Sequence, residues 1–228
     1  MAKHPLKALA SAFIAATPPL NAQEQWVSLT LYGLLFEREP VAIETLAEAT
    51  NIPSSAIKAL LKGWPGVHYD EVQHIIGYWG LTISPTQHQL FTEGNKTLYT
   101  WCAWDGLFIP PLVKQAVFFE THCPMSKQKI TLQLDAMGKI DSLNSEYVMS
   151  FLQPNAIQFD SDVISKFCHF IYLFNNTTSA KEWLTQNTHC LLVSLPEALT
   201  LSQLKNQHQY RDVFDTQEND ASKKIYPM

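Results

Sequence analysis

Glycine is scarce in this chain, with eight among 228 residues. No Gly-rich loop of the kind that cradles phosphates can be found, which argues against a nucleotide site. Charge is scarce as well. Charged residues make up 16% of the sequence, below the usual quarter or so. The 16 Lys+Arg against 21 Asp+Glu leave a formal charge of −5, so nucleic acid is not expected as a partner, because phosphate binding is mainly cationic. Long apolar runs are missing too. None reaches the roughly 18 residues of a membrane span, so no membrane partner is expected. Internal repeats and low-complexity stretches are absent. Cysteine is sparse and scattered: Cys102, Cys123, Cys168 and Cys190, with no CxxC pair. That spacing excludes a zinc ribbon and a thioredoxin-type motif.

What is present is an ordinary globular composition, 46% hydrophobic. A chain of this length buries roughly 70–75% of its extended surface and needs no disulfide staples. Reduced thiols in a cytoplasmic protein are the expectation. Four segments are predicted: an N-terminal helix over 1–22, a winged-helix-like unit over 23–93, a second domain over 94–205 and a polar tail over 206–228. Lys3 and Lys7 before the alanine-rich stretch have the outline of a weak signal peptide. The three- and four-residue spacing of Leu6, Leu9, Ala10, Phe13 and Ile14 favours an amphipathic helix ended by Pro18-Pro19.

Gln23–Glu37, Val41–Thr50 and a segment from Ser54 or Ser55 to Lys62 read as three helices, with one of the two serines capping the third. Val67–Tyr69 and Ile75–Ile83 read as two strands of a wing. A winged helix invites a DNA-binding reading, but the third helix offers only Lys58 and Lys62. A packing module is the better account. Beyond Asn95 the predicted strands are Ala116–His122, Lys129–Leu134, Glu146–Leu152 and Cys190–Ser194. Val163–Phe174 should begin as helix and end as strand. Ser179 should cap a helix running to Gln186, and Glu197–Lys205 should be another helix. The predicted class is α+β, a winged-helix-like helical domain followed by small mixed or antiparallel sheets with helices.

The chemistry gathers at Leu98-Tyr99-Thr100-Trp101-Cys102-Ala103-Trp104-Asp105. A carboxylate stands three residues after a thiol, and in an opening helical turn those positions share a face. A base beside a thiol raises its thiolate fraction. An Asp in apolar surroundings can hold a proton and deliver it. Trp101, Trp104, Leu107 and Phe108 would supply such surroundings. Against this stands a plainer account, a buried packing Cys beside an Asp that complements a helix dipole.

The same block, followed by Leu107, Pro110, Leu112 and then Thr121-His122-Cys123, closely resembles the central block of the organomercurial (alkylmercury) lyase family. Ile75-Ile76-Gly77-Tyr78-Trp79-Gly80-Leu81-Thr82 resembles the family's I-I-G-Y-G-L-T strand with one residue inserted. Lys166-Phe167-Cys168-His169 resembles its second cysteine site. The resemblance runs from about Ala42 to Ser202. It implies cleavage of a carbon–mercury bond by protonation, with catalytic roles for Cys102, Asp105 and Cys168, which would also hold mercury transiently. Phe167 would join Trp101 and Trp104 in the substrate pocket, and Cys123 would be structural. It implies no organic cofactor, an organomercurial substrate, and low-molecular-weight thiols or a mercuric reductase as acceptors of Hg(II). A monomer or weak homodimer is expected.

The sequence departs from the family at Ser126-Lys127, where a Thr-Gly is usual, and at His169, where some members carry another Cys. Cys190 has no family role. The pairs His122-Cys123, Cys168-His169 and His189-Cys190 suggest zinc, but strand neighbours point to opposite faces. The alternatives left open are a mercury-binding winged-helix regulator, a non-catalytic homologue and, more weakly, a Cys–His–Asp thiol hydrolase.

Overall fold

The computed structural model describes residues 5–94, 96–142, 144–157 and 162–214. Lys3 and the 215–228 part of the expected tail lie outside the described residues. The first helix, α1 (Pro5–Ala16), buries Leu9 and Phe13, one turn apart. Asn21 opens α2 (Ala22–Phe36). Its side chain accepts from the Glu24 N–H at 3.0 Å, and its own N–H donates to Glu24 Oε2 at 2.8 Å. Two of the free donors at the helix start are thus satisfied. α3 (Ile43–Thr50) ends at Asn51, whose φ of +57° is left-handed. α4 (Ser54–Gly63) is preceded by Pro53 in the cap position, and no side chain caps it. Neither serine takes the expected role there, because the fixed φ of Pro53 already prepares the turn.

Seven strands make one antiparallel sheet: β1 (Val67–Tyr69), β2 (Ile75–Tyr78), β3 (Leu81–Thr82), β4 (His88–Thr92), β5 (Thr97–Thr100), β6 (Val117–His122) and β7 (Lys129–Leu134). Their order is β1-β2-β3-β5-β4-β6-β7. The segments expected as a wing are one edge of this sheet. β4 pairs with both β5 and β6, so hydrogen bonding continues across residue 93. The expected strand Ile75–Ile83 is a hairpin. Tyr78 pairs with Leu81, and Trp79-Gly80 form a two-residue turn with φ of +38° and +98°. Two positive φ values in a two-residue loop match the twist of antiparallel strands. An apolar run without an Asn-Gly signal conceals such a turn.

The second sheet holds β8 (Val148–Leu152), β9 (Leu173–Phe174) and β10 (Cys190–Ser194) in the order β10-β8-β9, again antiparallel. Among the described residues the further α-helices are α5 (Asp105–Val113), α6 (Val163–Lys166), α7 (Thr177–Gln186) and α8 (Leu195–Gln209). The expected α+β class is what the chain adopts. Asn176, not Ser179, caps α7, its side chain accepting from the Ser179 N–H at 2.8 Å. No helix among the described residues is long and apolar enough to cross a membrane.

The polar tail expected from residue 206 does not begin there. α8 continues to Gln209, and Tyr210 is fully buried. The Tyr210 hydroxyl meets Ser28 Oγ at 2.9 Å, and Ser28 Oγ meets the Tyr78 hydroxyl at 2.9 Å. The end of α8 is therefore joined to α2 and to the sheet through buried hydroxyls. A polar composition disguised this, because the partners that satisfy these groups are remote in sequence.

Candidate functional site

Cys102 lies in the short turn between β5 and α5, and Asp105 opens α5. The Asp105 carboxylate folds back over this turn and accepts the Cys102 N–H at 2.8 Å. A carboxylate in the first turn of a helix also meets the positive end of the helix dipole. Thr100 Oγ1 donates to the Cys102 carbonyl at 2.9 Å, fixing the turn from the strand side. Gly80 closes it from the other side. A Cβ there would lie 2.6 Å from Asp105 Cγ, so only glycine lets the hairpin turn pack against the carboxyl.

Cys168 comes from another part of the chain, in a tight turn after α6. Ser150 on β8 anchors that turn: its hydroxyl donates to the Phe170 carbonyl at 2.7 Å and accepts from the Tyr172 N–H at 2.9 Å. The Ala103 N–H reaches the Ile171 carbonyl at 3.5 Å, so the two thiol-bearing segments meet through backbone. The outcome is a cluster of Cys102, Asp105 and Cys168 whose ligating atoms all lie within 4.8 Å of one another. All three are buried, at 0%, 4% and 6% exposure. Among the described residues it is the one group of three such side chains, and no histidine joins it.

Burial sets the proton chemistry. It pushes the Asp105 carboxyl up to about 6, against hydrogen bonds from the Cys102 thiol and N–H and the charge of Lys205. Burial also raises the Cys102 thiol well above the ordinary range, and the neighbouring Cys168 and Asp105 add to the rise. The neighbouring Cys102 thiol favours the Cys168 thiolate, but burial and the Asp105 charge leave Cys168 raised. Near neutral pH the resting site is therefore two thiols and a mostly ionised carboxylate. Such a site can move a proton between sulfur and carboxyl and can grip a soft metal with two sulfurs.

Trp101, Trp104 and Phe167 line a cavity beside the cluster, together with Trp79, Gly80, Phe108, Val163, Asp105 and Cys168. The cavity is about 20 Å³, room for roughly one water. Phe13 of α1 packs against two of its walls, with ring centroids 4.7 Å from Trp104 and 5.5 Å from Phe167. Cys123 stands apart, at the end of β6. Burial pushes its thiol up, but the Ser126 hydroxyl and the N–H groups of Ser126, Asn175 and Met125 outweigh that and hold it below the ordinary value. Lys127 in the same turn has a φ of +59°, at the position where the family motif usually carries glycine. Cys190 is a buried thiol pushed up to about 11 by its surroundings.

Lys205 was not singled out by the sequence. It is 6% exposed, with Nζ 3.7 Å from the Phe108 ring centroid and 3.4 Å from Asn206 Oδ1. Burial lowers it to about 7, while the Asp105 charge resists. The available signal was spacing: Ala198, Leu201, Ser202, Lys205 and Asn206 form the buried stripe of α8, and a lysine on such a stripe is rarely buried without a partner.

The buried carboxylate has a cost in stability. An unfolded Asp releases its proton near pH 4, whereas Asp105 keeps its own until about 6. Folding stability from this group therefore falls as pH rises from about 4 to 6, by up to about 3 kcal/mol. Asp105→Asn should be more stable than the native chain at pH 7.5. The gain should shrink as pH falls through that window, as measured by urea unfolding at several pH values.

The alkylmercury lyase family model matches residues 81–205. The alkylmercury lyase of Staphylococcus epidermidis is 30% identical over 177 residues, 78% of this chain and 80% of that protein. The alkylmercury lyase of Bacillus cereus is 31% identical over 180 residues, 79% of this chain and 80% of that protein. The crystal structure of the mercury-bound form of MerB2 superposes with a TM-score of 0.70 at 20% identity. It covers 91% of this chain and 100% of that one, so the two share a fold.

Proposed function

The chain belongs to the alkylmercury lyase family, and on that premise we propose that Cys102, Cys168 and Asp105 cleave the carbon–mercury bond of an organomercurial by protonolysis. The observation that carries this reading is the cluster itself: two thiols and a carboxyl within 4.8 Å, buried beside an aromatic cavity. Thiolates are soft ligands and select soft metals. One sulfur gives a two-coordinate R–Hg–S species whose carbon is a poor base. A second sulfur raises the coordination number and pushes electron density onto carbon, which then accepts a proton.

The protons balance. Two thiols enter with two protons, and R–Hg–X brings none. The first sulfur binds mercury as X leaves, and one proton leaves with X. Asp105, ionised at the start, takes the proton of the other thiol along a hydrogen bond it already makes with Cys102. It then delivers that proton to carbon as the carbon–mercury bond breaks, and returns to carboxylate. The products are R–H and Hg(II) held by two sulfurs. Trp101, Trp104 and Phe167 hold the organic group and exclude water, which lets Asp105 remain protonated long enough to act. Low-molecular-weight thiols of a reducing cytoplasm remove Hg(II) by exchange, with a mercuric reductase as a further acceptor.

The test is benzene release from phenylmercury in excess thiol, followed in the headspace. The native chain should release it catalytically, and Cys102→Ser should not. Stoichiometric uptake of mercury with no benzene from the native chain would overturn the reading and leave a mercury-binding protein.

A further inference from the structure

One wall of the cavity is not explained by proton transfer or sulfur binding. Trp79 is 9% exposed and lines the cavity with Gly80, Asp105 and Cys168. Its φ of +38° lies in the left-handed region, which a bulky side chain enters at a cost. Three hydrogen bonds hold the turn in place. The Tyr32 hydroxyl donates to the Trp79 carbonyl at 2.8 Å. The Trp79 N–H donates to the Gly66 carbonyl at 2.9 Å, and the Trp101 N–H to the Gly80 carbonyl at 2.9 Å. The ring itself is packed as well, at 9% exposure. A Cβ on Gly66 would lie 3.2 Å from the Trp79 ring and 3.3 Å from the Trp101 ring. Both indoles therefore lie close against the open face of Gly66.

The turn has no need of tryptophan. Asn-Gly is a favoured pair for a two-residue turn of this shape, so the indole at residue 79 is accounted for by what it faces. Val163 and Phe167, which also line the cavity, sit on and just after the four-residue α6, a short element with less local structure to hold it than a sheet hairpin. An arriving organic group thus meets one fixed wall and one adaptable wall.

We propose that Trp79 is a specificity-determining residue, a fixed wall that favours methyl and other small alkyl groups on mercury and works against aryl groups. This rests on the cleavage reaction proposed above. The cavity, about 20 Å³, is of the order of one water or one methyl group. An aryl ring that seats beside the cluster crowds these walls far more than a methyl group does, and Trp79 is the wall whose backbone is held by the hairpin turn.

The experiment compares methane release from methylmercury with benzene release from phenylmercury, each in excess thiol. The native chain, Trp79→Asn and Trp79→Phe are tested side by side. Carbon–mercury bonds differ in intrinsic reactivity, so the quantity read is the phenyl-to-methyl ratio of kcat/KM in each variant relative to the native chain. Loss of one ring from a pocket wall changes such ratios by about tenfold or more. The ratio should rise at least about tenfold in Trp79→Asn and by an intermediate amount in Trp79→Phe. An unchanged ratio in folded variants, checked by thermal melting, overturns the proposal. If the native chain releases no hydrocarbon, the cleavage reading fails separately. The rates at which phenylmercury and methylmercury form protein adducts, read by intact mass, then report the same wall, and an unchanged ratio again overturns it. If both variants fail to fold, adduct formation by the native chain with methyl-, ethyl- and phenylmercury decides. A decline with size supports the wall, and a flat series sinks it.

Discussion

Cys168→Ser should produce a protein that captures one organomercurial and keeps it. Cys102 remains to bind mercury, and Asp105 still accepts its N–H. On the proposed mechanism, what is lost is one of the two sulfurs that together make the carbon basic. Hydrocarbon release should fall by about a thousandfold or more, equivalent to roughly 4 kcal/mol of transition-state stabilisation. Intact mass should show the R–Hg adduct on the variant, with the organic group still attached. The fold should tolerate the change, because oxygen replaces sulfur in a turn anchored by Ser150 through backbone atoms. Rapid hydrocarbon release by Cys168→Ser would mean that one sulfur suffices, and the two-thiolate mechanism would be wrong.

Gly80→Ala should be nearly as damaging without touching a reactive atom. The added methyl would lie 2.6 Å from Asp105 Cγ and 2.7 Å from Oδ1. Both are backbone-anchored: Asp105 by its place at the start of α5, Gly80 by the hairpin and by the Trp101 N–H bond. The residue also needs a φ of +98°, which alanine adopts with strain. The carboxyl must swing away, and a displacement of that size costs about a hundredfold in rate. Mercury uptake by the two thiols should survive. Gly33→Ala is the control, since a Cβ there meets nothing within 4 Å and the site lies inside α2. It should keep full hydrocarbon release and gain up to about 1 kcal/mol of stability. Comparable release by Gly80→Ala and the native chain would show that Asp105 needs no such constraint.

Lys205 and Asp105 show how far a site can depart from what stability alone would select. Both are buried, and both are shifted toward neutrality by desolvation. Buried charges held apart from full pairing are a liability in a core. On the proposed mechanism they serve a carboxyl whose proton has to be ready near neutral pH. This is the usual relation between a strained active site and the stability of the fold around it.

Much of the local structure was legible in the sequence. The helical spacing of Leu9 and Phe13, the apolar runs at Ala116–His122 and Cys190–Ser194, and the helix-to-strand change within Val163–Phe174 all appear, within a residue or two at their ends, as elements of the fold. Local patterning carries such information because side-chain periodicity follows backbone geometry. The capping residues of α4 and α7 and the Trp79-Gly80 turn did not show themselves in this way. Each depends on φ values or donors that several residue types can supply.

The sequence by itself determined which chemical groups this protein has: a thiol and a carboxyl three residues apart, aromatic residues around them, and the alkylmercury lyase motif that frames them. Tertiary structure alone decided that Cys168 reaches that pair, that Gly80 abuts the carboxyl, that Lys205 lies behind Phe108, and that Trp79 walls the cavity. The reason is physical. Short-range patterning records how a residue relates to its neighbours along the chain. Desolvation and close approach depend on which distant segments cover it, and those segments meet only when the sheets and helices pack.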